Sequence, residues 1–173
     1  INDAPVIGSL ANAAIDEDGL YQVALSADDV DNDNDSLDFS ASSDNAAVTV
    51  VVDGTSLTAT PDPDYYGSAI ITVTVTDNDL SEDSTSFTLT INPVNDAPEL
   101  GFVDDATFEE EGSTSTILTS SDIDSSDLTY GVSGGSSITA NIVDATITFT
   151  VAGNFNGTES FTATVTDGEY TDS

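Results

Sequence analysis

The sequence contains no lysine, arginine, histidine, cysteine, methionine or tryptophan. Without Lys, Cys and His, the chain cannot form a histidine-based triad, use a thiol nucleophile, form a Schiff base or bind phosphate through a P-loop lysine. Zinc sites normally use His or Cys, and neutralising nucleic-acid phosphates requires Lys or Arg, so neither ligand is expected. No apolar run approaches the length of a membrane span. The missing methionine predicts an internal piece of a longer protein or a processed product.

The charge is of one sign. There are 33 acidic residues, which give a formal net charge of −33. Every carboxylate must therefore be solvated, hydrogen-bonded or neutralised by a cation from solution, and the self-repulsion opposes compaction. Acidic chains of this kind can be disordered. However, 38% of the residues are hydrophobic, and Val, Ile, Phe and Tyr alternate with polar residues, which favours folded β domains with metal-binding ends.

A tetrapeptide repeat divides the chain. Asn-Asp-Ala-Pro stands at Asn2–Pro5 and again 93 positions later at Asn95–Pro98. The acidic block Asp16–Gly19 is echoed by Glu109–Gly112 at the same offset. A fixed offset over two blocks predicts two homologous domains, and the prolines around the junction predict a short, extended connection. We therefore predict three segments: a first domain at 1–93, a linker at 94–98 and a second domain at 99–173.

Short runs with period-two alternation predict seven strands in the first domain. We expect Ile71, Val73 and Val75 to point inward. In the second strand, Leu20, Val23 and Leu25 are expected to supply the apolar side chains. Seven strands in about ninety residues are typical of an immunoglobulin-like sandwich. The predicted strands are Val6–Leu10 extending to Ile15, Leu20–Ala27, Ser36–Ser42, Ala46–Val52, Thr55–Thr60, Ala69–Thr76 and Ser84–Asn92.

The second domain follows the same plan, with Phe161, Ala163 and Val165 predicted to point inward. Later in the domains the offset is 90, as between Val75–Asp77 and Val165–Asp167, so Ser173 corresponds to Asp83, just before the last strand of the first domain. The second domain is therefore predicted to lack that strand. Two explanations stay open: the chain is a segment of a longer repeat protein, or a neighbouring subunit donates the strand and builds a filament. The predicted strands are Thr114–Ser120, Asp127–Val132, Ser137–Val143, Ala145–Val151 and Glu159–Thr166.

The sequence resembles bacterial cadherin-like tandem repeats of large secreted calcium-dependent adhesins. The resemblance covers essentially the whole chain. It is carried by the Asn-Asp-Ala-Pro junction, the acidic block, the Asp-x-Asp motif at Asp29–Asp31 and Asp122–Asp124, and the Thr-Asp at Thr76–Asp77. It implies extracellular sandwiches in tandem, with Ca²⁺ at each junction stiffening the chain.

The residues support calcium independently, because carboxylate and amide oxygens from several loops gather at the ends of such a sandwich. One predicted set combines the lower end of the first domain, the linker and the upper end of the second: Asp16, Glu17, Asp18, Asp62, Asp64, Asn95, Asp96, Asp122, Asp124, Asp127 and Asp167. The other set lies at the upper end of the first domain: Asn2, Asp3, Asp29, Asp31, Asp33, Asp77 and Asp79. The alternative is a solvated acidic rim without metal.

We therefore expect an all-β, non-enzymatic protein with two tandem immunoglobulin- or cadherin-like β-sandwich domains. Its predicted function is that of a calcium-rigidified extracellular stalk or fibre repeat, which spaces and presents adhesive modules. Its predicted partners are adjacent repeats or neighbouring subunits, and a cell-surface or matrix ligand reached through other modules. The alternatives are a self-assembling filament subunit and a sugar- or protein-binding module. Of the adjacent aromatic pair Tyr65–Tyr66, Tyr66 is expected to lie mostly in the core.

Overall fold

A computed structural model describes residues 2–31 and 36–173, and all the regular structure in this part of the chain is β-strand apart from single turns. The chain divides into two compact units, Ile1–Val94 and Asn95–Ser173. Each unit is described by itself below.

The described strands of unit 1 are β1 Val6–Ile7, β2 Ala13–Asp16, β3 Tyr21–Ala24, β4 Ala27–Asp28, β5 Asp38–Ser43, β6 Val48–Asp53, β7 Ser56–Pro61, β8 Gly67–Thr76 and β9 Glu82–Asn92. They form a four-stranded sheet in the order β2-β9-β8-β5, a three-stranded sheet in the order β3-β7-β6, and the short pair β1-β4. Only β2 and β9 run parallel among these strand pairs, and all the others are antiparallel.

The core of unit 1 lies between its two larger sheets. Alternate residues of β8 and β9 meet Leu57 and Ala59 of β7 in one cluster. Ile71, Val73 and Val75 are completely buried, while the intervening Ile70 is 48% exposed. The predicted inward face of this strand is therefore confirmed, because side chains on a strand alternate between its two faces.

Two predictions about the apolar side chains of unit 1 were wrong. Leu20 is 56% exposed, because the inward positions of this segment are odd-numbered and begin at Tyr21, whose ring packs 5.6 Å from that of Phe87. Tyr66 is 58% exposed, and its neighbour Tyr65 packs against the core instead. In both pairs a large apolar residue stands beside the inward position, and the sequence alone does not distinguish the two.

Unit 2 repeats this plan with a smaller core. Its buried cluster is Leu118, Ile147 and Phe149, and the ring of Phe149 packs edge-on against that of Phe161 at 4.9 Å. Its strands are β10 Glu99–Leu100, β11 Ser113–Ile117, β12 Ser120–Ser121, β13 Thr129–Gly134, β14 Ile138–Val143, β15 Thr146–Val151, β16 Phe161–Thr166 and β17 Thr171–Asp172. They form three sheets, with the orders β11-β15-β14, β13-β16-β17 and β10-β12.

The last strand of unit 2, predicted to be absent, is present in its first two residues. Thr171 pairs with Thr166 and Asp172 with Val165, as Glu82 and Asp83 of β9 pair with β8 in unit 1. Asp172 is thus the structural equivalent of Asp83. The sequence alignment placed Ser173 there instead, because the loop before this strand is one residue shorter in unit 2.

Candidate metal centres

At the upper end of unit 1, the Asn2 side chain is held between two loop residues. Its Nδ2 donates to Asp77 Oδ2 at 2.7 Å and to Ser81 Oγ at 3.0 Å. The backbone N–H groups of Asp79 and Ser81 donate to Asp77 Oδ1, each at 2.8 Å. Asp77 is only 4% exposed. The Asn2 hydrogen bond, followed by those from the loop backbone, lowers the pKa of Asp77 against the opposing effect of burial, so Asp77 is ionised.

A second chain of hydrogen bonds ties the start of the chain to the loop after β4. The N–H of Asp3 donates to Asp31 Oδ2 at 2.7 Å, and the N–H of Asp31 donates to Asp29 Oδ1 at 2.7 Å. Five of the predicted ligands thus take part in two sets of hydrogen bonds at this end: Asn2 with Asp77, and Asp3 with Asp31 and Asp29. Asp79 is exposed and joins the network through its backbone. Asp33 lies outside the described residues.

Unit 2 builds the same network from its own residues. Asn95 Nδ2 donates to Asp167 Oδ2 at 2.6 Å, and the N–H of Asp96 donates to Asp124 Oδ2 at 2.7 Å. The N–H of Asp124 in turn donates to Asp122 Oδ1 at 2.9 Å. Each bond has its counterpart in unit 1, made by residues 90 or 93 positions earlier. These bonds link Asn95 to Asp167, and they link Asp96, Asp124 and Asp122 in a second set.

The pKa of Asp167 is lowered first by the Asn95 side chain, against burial, and further by the N–H groups of Glu169 and Tyr170. Asp127 is linked to these residues through Ser125, whose Oγ accepts from the N–H of Asp127 at 3.2 Å and whose N–H donates to Asp122. The side chain of Asp127 is exposed.

At the lower end of unit 1, two loops approach each other. Glu17 is 5% exposed, and its Oε1 accepts a 2.5 Å hydrogen bond from the N–H of Val94. The N–H of Asp64 donates to Asp18 Oδ1 at 3.2 Å, and carboxylate oxygens of these two residues lie within 4.8 Å of each other. Both have left-handed backbone, with φ of 60° at Asp18 and 56° at Asp64, a conformation that Asp tolerates better than most residues.

The other two acids predicted at this end have local roles. Asp62 is exposed and forms a turn through its backbone, donating to the carbonyl of Ala47 at 2.7 Å and accepting from Tyr65 at 3.2 Å. Asp16 Oδ1 accepts a 3.2 Å hydrogen bond from the side chain of Asn92. None of these three hydrogen bonds is made to Glu17 itself, whose own N–H donates to the carbonyl of Asn92 at 2.9 Å.

The chemistry of these groups suits a hard cation. Among the described residues, Glu17 Oε2 and Asp122 Oδ2 are buried and accept no hydrogen bond. A buried carboxylate oxygen without a donor costs free energy, and the sequence has no positive side chain to place beside it. Ca²⁺ takes six to eight oxygen ligands from carboxylates, amides and carbonyls. The residues present therefore fit calcium, which would be held at these loop ends.

Two acids that sequence analysis did not select also position these ends. Asp83 Oδ2 accepts from the N–H of Ile7 at 2.9 Å, and Asp172 Oδ2 accepts from the N–H of Leu100 at 2.7 Å. The Leu100 bond is the main reason why the pKa of Asp172 is lowered. The two acids are 89 positions apart, so a search at the repeat offsets of 90 and 93 misses them. They fix the first strand of each unit beside its last.

Glu159 caps the turn before β14 in unit 2. Its carboxylate accepts hydrogen bonds from the Ser136 hydroxyl at 2.6 Å and from the N–H groups of Ser136, Ser137 and Ile138, the shortest at 2.8 to 2.9 Å. The Ser136 hydroxyl bond, followed by the backbone bonds, lowers the pKa of Glu159 to about 2 from 4.5. The ionised carboxylate therefore holds the turn between β13 and β14.

We predict that Glu159→Gln destabilises unit 2 at pH 7 and that the difference from wild type shrinks in acid. A lowered folded-state pKa gives stability that is complete above the unfolded value of 4.5 and is lost as the pH falls towards about 2. Urea unfolding at a series of pH values between 7 and 2 measures the difference. Glu110→Gln is the control, because it makes the same chemical change at an exposed residue. A gap between Glu159→Gln and wild type that stays constant with pH would contradict the assignment.

The fold and these loop ends define the class of protein: two tandem immunoglobulin-like β-sandwiches. The chain belongs to the bacterial Ig domain family, whose model matches residues 2–92 and 95–173. Among curated proteins, none matches the sequence. Across the described residues, no helix is long and apolar enough to cross a membrane.

Solved cadherin structures share the fold. The chain is similar to PcdhgB3 EC1-4, with a TM-score of 0.59 and 15% identity over 98% of this chain and 47% of that one. It is also similar to the extracellular cadherin domains 1-5 of protocadherin gamma B2, with a TM-score of 0.56 and 16% identity over 99% of this chain and 38% of that one. The chain thus spans less than half of each, and these likenesses support the fold alone. The predicted resemblance to cadherin-like and immunoglobulin-like repeats is confirmed.

Proposed function

We propose that this protein is a calcium-binding repeat of an extracellular stalk or fibre, which spaces and presents adhesive modules. The observation that carries the proposal is the duplication of one hydrogen-bonded network. Asn2, Asp31 and Asp77 in unit 1 have the same partners as their counterparts Asn95, Asp124 and Asp167 in unit 2. A solvated acidic rim has no reason to repeat the same amide–carboxylate and backbone–carboxylate hydrogen bonds in both units.

The charge supports the same proposal. At least two buried oxygens, on Glu17 and Asp122, accept no hydrogen bond within the described chain. The net charge of −33 means that self-repulsion opposes folding throughout the chain. A divalent cation at each loop end would relieve both costs. The lowered pKa values of Asp77 and Asp167 keep these ligands ionised, as calcium requires.

The repeat architecture favours a structural role over catalysis. An immunoglobulin-like or cadherin-like repeat fold is typical of structural and adhesion domains. The composition excludes histidine, thiol and lysine chemistry. We infer an extracellular location, with adjacent repeats as the immediate partners and any cell-surface or matrix ligand reached through other modules.

Calcium titration of matched variants tests the proposal. We expect Asp31→Asn in unit 1 and Asp124→Asn in unit 2 each to weaken calcium binding by at least about tenfold. Even mutation of a residue that only orients a metal ligand lowers metal affinity by about 10–100-fold. Both residues are exposed, so the folds should survive, as circular dichroism would check. Asp53→Asn removes the same charge from the β6–β7 turn and should leave the affinity unchanged. An equal loss of calcium affinity in all three variants would mean that the effect comes from net charge and not from a site at these residues.

The same titration followed by small-angle scattering tests the stalk. If calcium stiffens the connection between the units, the distribution of intramolecular distances should narrow as the metal is added to wild type. A distribution unaffected by saturating calcium would contradict the stiffening while leaving calcium binding intact.

A further inference from the structure

The sheet β3-β7-β6 of unit 1 ends at β6, an edge strand with an open side. Among the described strands, β6 pairs with β7 alone, in continuous register from Val48↔Pro61 to Asp53↔Ser56. Unit 1 has five described strands before β6 and three after it, so this edge is a feature of the sandwich itself. An open strand edge presents N–H and C=O groups that can pair with another chain.

The backbone of β6 points its polar groups alternately towards β7 and away from it. The turn that joins β6 to β7 has two residues and is closed by Asp53 and Ser56. In such a hairpin the closing residues exchange backbone hydrogen bonds, and the bonded positions recur at every second residue. Val51 therefore bonds to β7 as Asp53 does. The N–H and C=O groups of Val50 and Val52 face the open side.

β6 has none of the features that normally prevent strands from pairing edge to edge. Those features are charged side chains, proline, a β-bulge or a very short strand. β6 is six residues long, its sequence is Val-Thr-Val-Val-Val-Asp, and its register with β7 has no bulge. Its one acid is the terminal Asp53. Val and Thr are also enriched in strands, so this edge is well suited to accept a neighbour.

The acids of this chain stay out of strand interiors. Within the described strands, every Asp or Glu is the last residue or one of the first two. Carboxylates directly opposite each other on two strands repel, and the sequence has no Lys or Arg to separate them. The edge of β6 is thus neutral in a chain of net charge −33. A second copy can reach it without placing carboxylate against carboxylate.

A second copy also fits this edge because β6 is complementary to itself. In an antiparallel pair of β6 strands centred on Val50, residues 48 to 52 pair only with one another, and all of them are Val or Thr. Pairs of β-branched side chains stabilise neighbouring strands. Asp53 then lies opposite Ala47 of the second copy, so the two Asp53 carboxylates are at opposite ends of the pair.

We propose that the β6 edge of unit 1 is a self-association surface, on which β6 of a second copy pairs in antiparallel orientation about a twofold axis. The two β3-β7-β6 sheets become one continuous sheet across the contact. Main-chain hydrogen bonds from Val50 and Val52 hold the pair together, and the alternation of buried and exposed side chains fixes its register. One strand pair is a small contact, so the dimer is weak and reversible. It does not depend on calcium.

Sedimentation velocity over a concentration series, in excess chelator, tests the proposal on the unmodified chain. We expect a reversible monomer–dimer equilibrium at concentrations up to about 1 mM, the range of weak complexes. The dimer should strengthen as sodium chloride is raised, because salt screens the repulsion between two acidic copies. Hydrogen exchange should slow at residues 48–53 as the protein concentration rises.

Two substitutions in β6 test the contact itself. Val50→Pro removes an N–H that faces the open side and spares the bonds to β7, as proline on an edge strand can. It should weaken the dimer at least about tenfold, since a hydrogen bond is lost on both sides of the twofold axis. Val51→Asp brings like charges together across the contact and should weaken the dimer as well. Val51 is 58% exposed, so this variant should fold even if the proline variant does not.

Gln22 provides the matched controls, because it is exposed on β3, the other edge strand of the same sheet. The N–H of Leu25 donates to the carbonyl of Thr55 at 2.7 Å, so the N–H of Gln22, three positions earlier, faces away from β7. Gln22→Pro and Gln22→Asp should leave the dimer unchanged. Equal weakening by the variants at both edges would overturn the proposal. So would slowed exchange at 138–143 in place of 48–53, or a chain that stays monomeric at every salt concentration, which would leave the edge to a strand of another protein.

Discussion

Removing calcium is expected to lower the midpoint of thermal unfolding of this chain by about 10 °C or more. A ligand that binds only the folded state stabilises it by about 2.7 kcal/mol per site at a hundredfold excess over Kd. In a domain of 60–100 residues, each kcal/mol corresponds to a shift of about 4–8 °C. Differential scanning calorimetry with calcium and with excess chelator measures the change, and the midpoint should continue to rise with calcium concentration.

Calcium is expected to stabilise the fold both at individual residues and across the whole chain. At Glu17 and Asp122, calcium would supply the partner that a buried carboxylate oxygen needs. Across the molecule it would also reduce the repulsion between 33 acids. Any salt reduces this repulsion, so the experiment must separate general screening from calcium binding at a site.

Sodium chloride at matched ionic strength is the first control, because it screens exposed charges without occupying a site. Magnesium is the second, since it is a hard divalent cation that keeps several of its waters. Calcium should exceed both at equal ionic strength. If sodium chloride reproduces the whole shift, the acids form a screened rim, and the metal proposal fails.

The sequence predicted the fold well because alternation and burial are closely coupled in a sheet. In β8, the pattern of Ile71, Val73 and Val75 left one possible inward face, and all three are buried. The pattern failed where two large apolar residues are adjacent. Leu20 and Tyr66 each stand beside the residue that packs inward, and only the neighbouring strands decide which of two adjacent residues faces the core.

The candidate sites were predictable to the extent that they repeat. Asn2 with Asp77 and Asn95 with Asp167 were found because loop order places them at one end of each sandwich. Asp83 was missed because its role depends on strand register, which brings it beside the N–H of Ile7. Nothing in a one-dimensional pattern encodes that contact.

The last strand of unit 2 lay between these two cases. The count of strands predicted that it would be missing, but it did not predict that Thr171 and Asp172 would pair with β16. That pairing depends on a loop one residue shorter than its counterpart in unit 1, which a fixed repeat offset does not show.

Ile71→Ala is expected to destabilise unit 1 by about 2–5 kcal/mol, the usual cost of truncating a buried Ile or Leu to Ala. The Ile71 side chain is completely buried and lies opposite Phe87 in the sheet. Its removal loses apolar burial and leaves a cavity between the two sheets. The stability of a domain is only about 5–15 kcal/mol in total, so unit 1 should unfold at markedly lower urea concentration. Hydrogen exchange read by mass spectrometry resolves the two units.

Ile70→Ala is the matched control, because it makes the same chemical change one position along the same strand. Ile70 is 48% exposed and points away from the core, so its loss should cost about 0.5 kcal/mol or less. Neither substitution should alter exchange in unit 2, which has its own cluster around Leu118, Ile147 and Phe149. Equal losses from the two substitutions would mean that the alternation of β8 does not determine its core. A parallel loss in unit 2 would mean instead that the two clusters unfold as one.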